Sequence, residues 1–134
     1  MDIEWLRRHC LSLPHTTENV AWEEHLVFKV GGKMYAITSF EPDQRWLAFK
    51  CTEDDFARLV EQPGIIPSPY LARAKWVSVE TDRDLPPDEV RRLLRQSYEL
   101  VLAKLPRKTR ESLGKSTTRP RARRKKSPRK RQTR

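Results

Sequence analysis

The chain has 134 residues, a mean hydropathy of −0.81 and a formal net charge of +10. That length holds one domain of ordinary size, and no apolar run approaches the ~20 residues that a helix needs to cross a bilayer. Met1-Asp-Ile-Glu-Trp5 lacks the basic and long apolar regions of a secretory leader, so a soluble, cytoplasmic protein is expected.

The charge is unevenly spread. Residues 106–134 carry fourteen Lys/Arg and one acid, a net of +13, while residues 1–105 carry fourteen Lys/Arg and seventeen Asp/Glu, a net of −3. Beyond Arg107 the only large aliphatic residue is Leu113 and there is no aromatic. Ordering such a segment costs about 1–2 kcal/mol per residue with little burial to offset it. The expected division is a folded domain over 1–105 and a disordered Lys/Arg-rich tail over 106–134, since charge blocks of this kind mark interaction arms.

In chain order, Asp2 to Leu13 reads as a helix, with Ile3, Leu6, Cys10 and Leu13 on one stripe and Pro14 ending it. A short edge strand is expected around Asn19 to Trp22. Leu26 to Phe40 then forms a hairpin about Gly31-Gly32, a pair that accepts positive φ at both turn positions. Plain pairing sets Val30 opposite Lys33, Phe28 opposite Tyr35 and Leu26 opposite Ile37, all on one core face. The other face, His25, Val27, Lys29, Met34, Ala36 and Thr38, is mixed. Arg45 to Cys51 alternates as a third antiparallel strand, with Leu47, Phe49 and Cys51 inward.

Thr52-Glu-Asp-Asp55 caps a helix that runs to about Gln62, with Phe56, Leu59 and Val60 as its buried stripe and Pro63-Gly64 as its stop. Ile65 to Arg73 reads as an extended loop. Lys75 to Thr81 is a strand, with Trp76 and Ser78 on one face and Val77 and Val79 on the other. Pro86-Pro87-Asp88-Glu89 opens the longest helix, whose Val90, Leu93, Leu94, Ser97, Val101 and Leu105 form the cover over the hairpin. The fold class is α+β, an antiparallel sheet packed against helices in the order α-β-β-β-α-β-α.

Several segments resemble the MmcQ/YjbR family in order and spacing. They are Cys10-Leu-Ser-Leu-Pro14, Leu26-Val-Phe-Lys-Val-Gly-Gly-Lys-Met-Tyr35, Leu47-Ala-Phe-Lys-Cys51, Pro63-Gly-Ile-Ile-Pro67, Tyr70-Leu71, Trp76-Val77, Gln96-Ser-Tyr98 and Ala103-Lys-Leu-Pro106. The resemblance covers roughly residues 2–106. It implies a compact YjbR-like, secretion-chaperone-like α+β domain, and a function described for the family as predicted DNA binding. Many members carry a His just before the Trp, where this chain has Lys75. The basic tail lies outside the resemblance.

The sharpest functional signal is Arg119-Pro-Arg-Ala-Arg-Arg-Lys-Lys-Ser-Pro-Arg-Lys-Arg131. Its Arg119, Arg121, Arg123, Arg124, Lys125, Lys126, Arg129, Lys130 and Arg131 can neutralise phosphates and release counterions, which gives affinity without sequence reading. The unit Ser127-Pro-Arg-Lys130 resembles the Ser-Pro-basic-basic units of linker-histone tails, and arms of this type enter narrow A·T minor grooves; the cations by themselves fit DNA and RNA alike, and it is the family resemblance that implies DNA. The plainer reading is a solubilising tail. On the body, Lys50, Tyr70, Arg73, Lys75 and Trp76 offer rings and cations for a second patch, against the reading that Trp76 and Tyr70 fill the sheet edge. The acidic body favours that plainer reading. No anchor accompanies the basic run, so no membrane partner is expected.

His9, His15 and His25 with Cys10 and Cys51 match no zinc spacing. Cys10 and Cys51, far apart and without a CxxC, read as small buried hydrophobes. Gly31-Gly32 lies between strands rather than before a helix, so it is no phosphate loop, and no nucleophile elbow is visible. No cofactor, metal site or catalytic set is expected. The reading is non-enzymatic nucleic-acid binding, with a protein-interaction or chaperone-like module as the alternative.

Overall fold

The computed structural model describes residues 1–21, 24–40, 45–69 and 71–116, and the chain divides between Lys104 and Leu105 into two units. The first unit grows from the hairpin. Gly31 and Gly32 take φ of +58° and +80°, joining β2 (His25–Val30) to β3 (Lys33–Ser39).

Next to the turn the pairing is as expected, with Val30 opposite Lys33 and Lys29 opposite Met34. A bulge then intervenes between Phe28 and Lys29, so Phe28 faces Ala36, Val27 faces Ile37 and Leu26 faces Thr38. The expected pairs Phe28–Tyr35 and Leu26–Ile37 are therefore corrected. The physical reason is one extra residue on β3, which breaks the alternation of faces. Tyr35 and Ala36 are both fully buried, and Ile37 moves to the opposite face, where it is half-exposed.

β1 (Thr16–Ala21) pairs along the free side of β2 as an edge strand, beginning earlier than the expected Asn19. Trp22 lies outside the described residues. β4 (Leu47–Lys50) extends the meander, and β6 (Trp76–Val79) pairs antiparallel with it. Ile65–Pro67, expected as loop, forms a short β5 against β6. Pro67 is tolerated there because an edge position leaves its missing N–H without consequence. The six strands make one antiparallel sheet of order β1-β2-β3-β4-β6-β5.

The first helix, α1 (Ile3–Leu11), is capped by Asp2, whose carboxylate accepts from the Trp5 amide at 2.9 Å. In α2 (Glu53–Leu59) the Thr52 hydroxyl accepts from the Asp55 amide at 3.2 Å, the cap expected from the sequence. The long helix α3 (Pro87–Lys104) crosses β2, β3 and β4, with α1 beside it toward β1 and α2 toward β5 and β6. The core lies between α3 and one sheet face, filled by Phe28, Val30, Leu47, Phe49, Val77, Val79, Leu93 and Leu94.

Two polar side chains of α3 tie it to the layers beneath. The Ser97 hydroxyl donates to Tyr35 O at 2.6 Å and accepts from the Lys50 amide at 3.0 Å. Tyr98 donates to Pro14 O at 2.8 Å, and its ring meets Tyr35 edge-on at 5.5 Å. Tyr35, from the bulge, shares a 2.9 Å hydrogen bond with Thr16 and donates to Cys10 O at 3.3 Å. Burial pushes its phenol upward.

In the second unit, residues 107–116 form a helix, α4 (Arg107–Ser116), where disorder was expected from Arg107 onward. The expectation counted only burial. Lys, Arg, Glu and Leu favour helix locally without it, Arg107 pairs with Glu111 at 3.2 Å one turn on, and the Arg110 amide donates to Pro106 O. No helix among the described residues is long and apolar enough to cross a membrane.

Candidate functional site

All three helices of the first unit serve one face of the sheet. The other face carries the row Val27, Ile37, Ala48, Ser78 and Ile66, fixed by register across β2, β3, β4, β6 and β5. The middle of that row is narrow in volume. Ala48 and Ser78 stand side by side where neighbouring rows have larger side chains, and a groove of about 620 Å³ opens over them. Its lining also includes Met34, His25, Arg45, Ser68, Pro69 and Leu71.

The polar groups in this groove are few: His25, the paired hydroxyls of Ser68 and Ser78, and the donor-only guanidinium of Arg45. Ser78 donates to Ser68 Oγ at 3.1 Å, and the two residues are 3% and 5% exposed. Two hydroxyls carry two protons and their mutual bond uses one. No acceptor among the described residues takes the other. Arg45 is exposed, and among the described residues its guanidinium has no hydrogen-bond or ion-pair partner. Sequence reading missed this site because the outer face of the hairpin looked merely mixed. The available signal was the juxtaposition of Ala48 and Ser78, which appears only once β4 is known to pair with β6.

The patch Lys50, Tyr70, Arg73, Lys75 and Trp76 is only partly assembled. Tyr70 lies outside the described residues. Trp76 is 4% exposed and offers no open ring face. Lys50 Nζ donates to Ala74 O at 2.6 Å, closing the 3-10 turn Ala72–Ala74, and burial followed by the nearby charge of Lys104 lowers its pKa. Lys75 adopts φ +65° and sets its ammonium over the Phe56 ring at 5.0 Å, with Glu53 at 3.9 Å. Arg73 is exposed. The tail residues Arg119, Arg121, Arg123, Arg124, Lys125, Lys126, Arg129, Lys130 and Arg131 lie outside the described residues.

Elsewhere on the first unit, cations meet local acids. Arg7 bridges Glu18 at 2.6 Å and Glu4 at 3.1 Å, Arg92 bridges Glu89 at 2.8 Å, and Arg91 bridges Asp88 at 2.7 Å. Arg58 pairs with Asp55 at 3.0 Å and Glu89 at 3.2 Å. Hydrogen bonding to Arg92 holds the Glu89 carboxyl below its ordinary value, burial opposing. Cys10 and Cys51 are free and buried, and burial pushes their thiols up to about 12 and about 11. A thiol held so far above neutrality is a poor nucleophile. Among the described residues no three His, Cys, Asp or Glu side chains converge on a metal position.

Comparison with known proteins agrees with this architecture. The YjbR family model matches residues 11–100. The crystal structure of Deinococcus radiodurans protein DR2400, which has a DUF419 domain, is 34% identical at a TM-score of 0.70, over 81% of this chain and 85% of that one. A protein from Pseudomonas syringae is 20% identical at a TM-score of 0.63, over 75% of this chain and 98% of that one, and shares the fold. No curated protein matches. With its α+β sheet and a match over most of its folded length, the chain belongs to the YjbR family.

Proposed function

We propose that the protein is a non-enzymatic nucleic-acid-binding protein, acting mainly on DNA and largely without reading sequence, through its C-terminal cations. The observation that carries this reading is the division of charge, −3 over residues 1–105 and +13 over residues 106–134. The ion pairs of Arg7, Arg58, Arg91 and Arg92 support it, because they commit four of the fourteen cations of residues 1–105 to carboxylates. A run of unopposed Lys and Arg gains affinity by displacing condensed counterions, so binding is steeply salt-dependent.

The test is a fluorescence-anisotropy titration of a labelled duplex over a salt series. It compares the full chain, a chain ending at Leu105, and a full chain with Gln at every Lys and Arg of 119–131. The full chain is expected to give a log–log salt slope of roughly −5 or steeper. The other two are expected to lose most affinity and most of the slope. Equal affinity and slope in all three would overturn the reading.

A further inference from the structure

The groove on the uncovered sheet face is not used by that function. We propose that it is a binding site for a small amphipathic carboxylate, an aryl or alkyl acid, whose apolar body lies on Ile37, Ala48 and Leu71 and whose acid group meets Arg45. Three observations lead there. The volume, about 620 Å³, falls within the ~300–1,000 Å³ of ordinary small-molecule sites. The lining is largely apolar, Met34, Ile37, Ala48, Pro69 and Leu71, on a face that none of the three helices of the first unit covers.

The third observation is the chemistry of the polar groups. The guanidinium of Arg45, a donor only, has no partner among the described residues, and the Ser68–Ser78 pair adds a spare proton. A ligand that satisfies both must present acceptors, and a guanidinium selects a carboxylate by two parallel hydrogen bonds. An apolar ammonium would place like charge beside Arg45.

The full chain is titrated with 4-phenylbutyrate, with its uncharged amide and with acetate, and followed by ¹H–¹⁵N NMR. Saturable shifts at Ile37, Ala48, Ser68, Leu71 and Ser78 are expected with 4-phenylbutyrate and not with acetate, and the amide is expected to bind about tenfold more weakly. Arg45→Gln, at an exposed position, is expected to reduce 4-phenylbutyrate binding to the level of the amide and to leave the amide unchanged. Ala48→Phe is expected to fill the floor and weaken both; should it unfold the chain, the Arg45→Gln comparison still decides.

Three outcomes would overturn the proposal. One is absence of saturable shifts at those residues at millimolar ligand. Another is an equal response to acetate, which would mark general anion attraction by the basic residues. The last is equal loss of acid and amide in Arg45→Gln. None of these depends on whether the tail binds nucleic acid.

Discussion

Gly64 occupies φ +85°, and a Cβ there would fall on the Asp84 carboxyl group, which itself accepts from the Thr81 amide at 2.9 Å. Gly32 has nearly the same backbone, φ +80°, but open space around it. The two positions separate conformational strain from collision. Gly32→Ala is expected to cost about 1 kcal/mol, the penalty for a left-handed residue with a Cβ. Gly64→Ala is expected to cost at least about 2 kcal/mol, because Asp84 must also give up its place. Urea denaturation of both variants checks this, and equal losses would show that Asp84 yields freely. Pro63-Gly64 was legible in the sequence as a helix stop. That Gly64 also makes room for a carboxylate twenty positions on was not, since nothing local marks it.

At the scale of elements, the bulge in β3 and helix α3 depend on each other. The bulge turns Tyr35 O toward α3, and Ser97, fully buried, satisfies that carbonyl and the Lys50 amide at once. Ser97→Ala leaves two buried backbone groups unpaired and is expected to cost about 2–4 kcal/mol in denaturant midpoint measurements. A loss under 1 kcal/mol would mean that water replaces the hydroxyl. From the sequence, Ser97 was placed correctly on the inner face of α3, but as one small member of an apolar stripe. Its role could not be read because the bulge that needs it leaves no mark. Tyr35 and Ala36 both suit an inward position, so plain alternation looked equally good.

The junction of α2 and α3 adds a pH dependence. Burial alone would raise the Asp55 carboxyl, but hydrogen bonds from Gln96 and Arg58 and the charges of Arg58 and Arg92 outweigh it and hold it below its ordinary value. A carboxylate depressed by folding stabilises the fold in full above its ordinary value, and that stability is lost as pH falls through the folded value. Asp55→Asn is therefore expected to be less stable than the parent at neutral pH and to converge with it in acid. Urea midpoints recorded from neutral pH downward test this, and parallel curves would remove Asp55 from the acid response.

For the whole molecule, most of the architecture followed from local pattern. The turn glycines, the Thr52 cap and the alternation of Leu47, Phe49 and Cys51 each point to the element that forms. β5 and the groove depend on which distant segments become neighbours, a long-range matter, whereas the register beyond the bulge was lost inside a correctly paired hairpin, where either alternation suits Tyr35 and Ala36. The helix α4 failed the other way: burial was asked of a segment that local propensity suffices to coil.

Placing the three helices of the first unit on one side of the sheet gives β4 two regimes of tolerance, interleaved along the strand. In β4, Leu47 and Phe49 are 1% and 0% exposed while Ala48 and Lys50 are partly open. A library randomised along β4 and sorted only for folded protein would therefore accept and reject positions in strict turn, every second residue. Sorted again for ligand capture, the permissive residues would become the exacting ones, and the two screens, overlaid, would trace the groove without any coordinates.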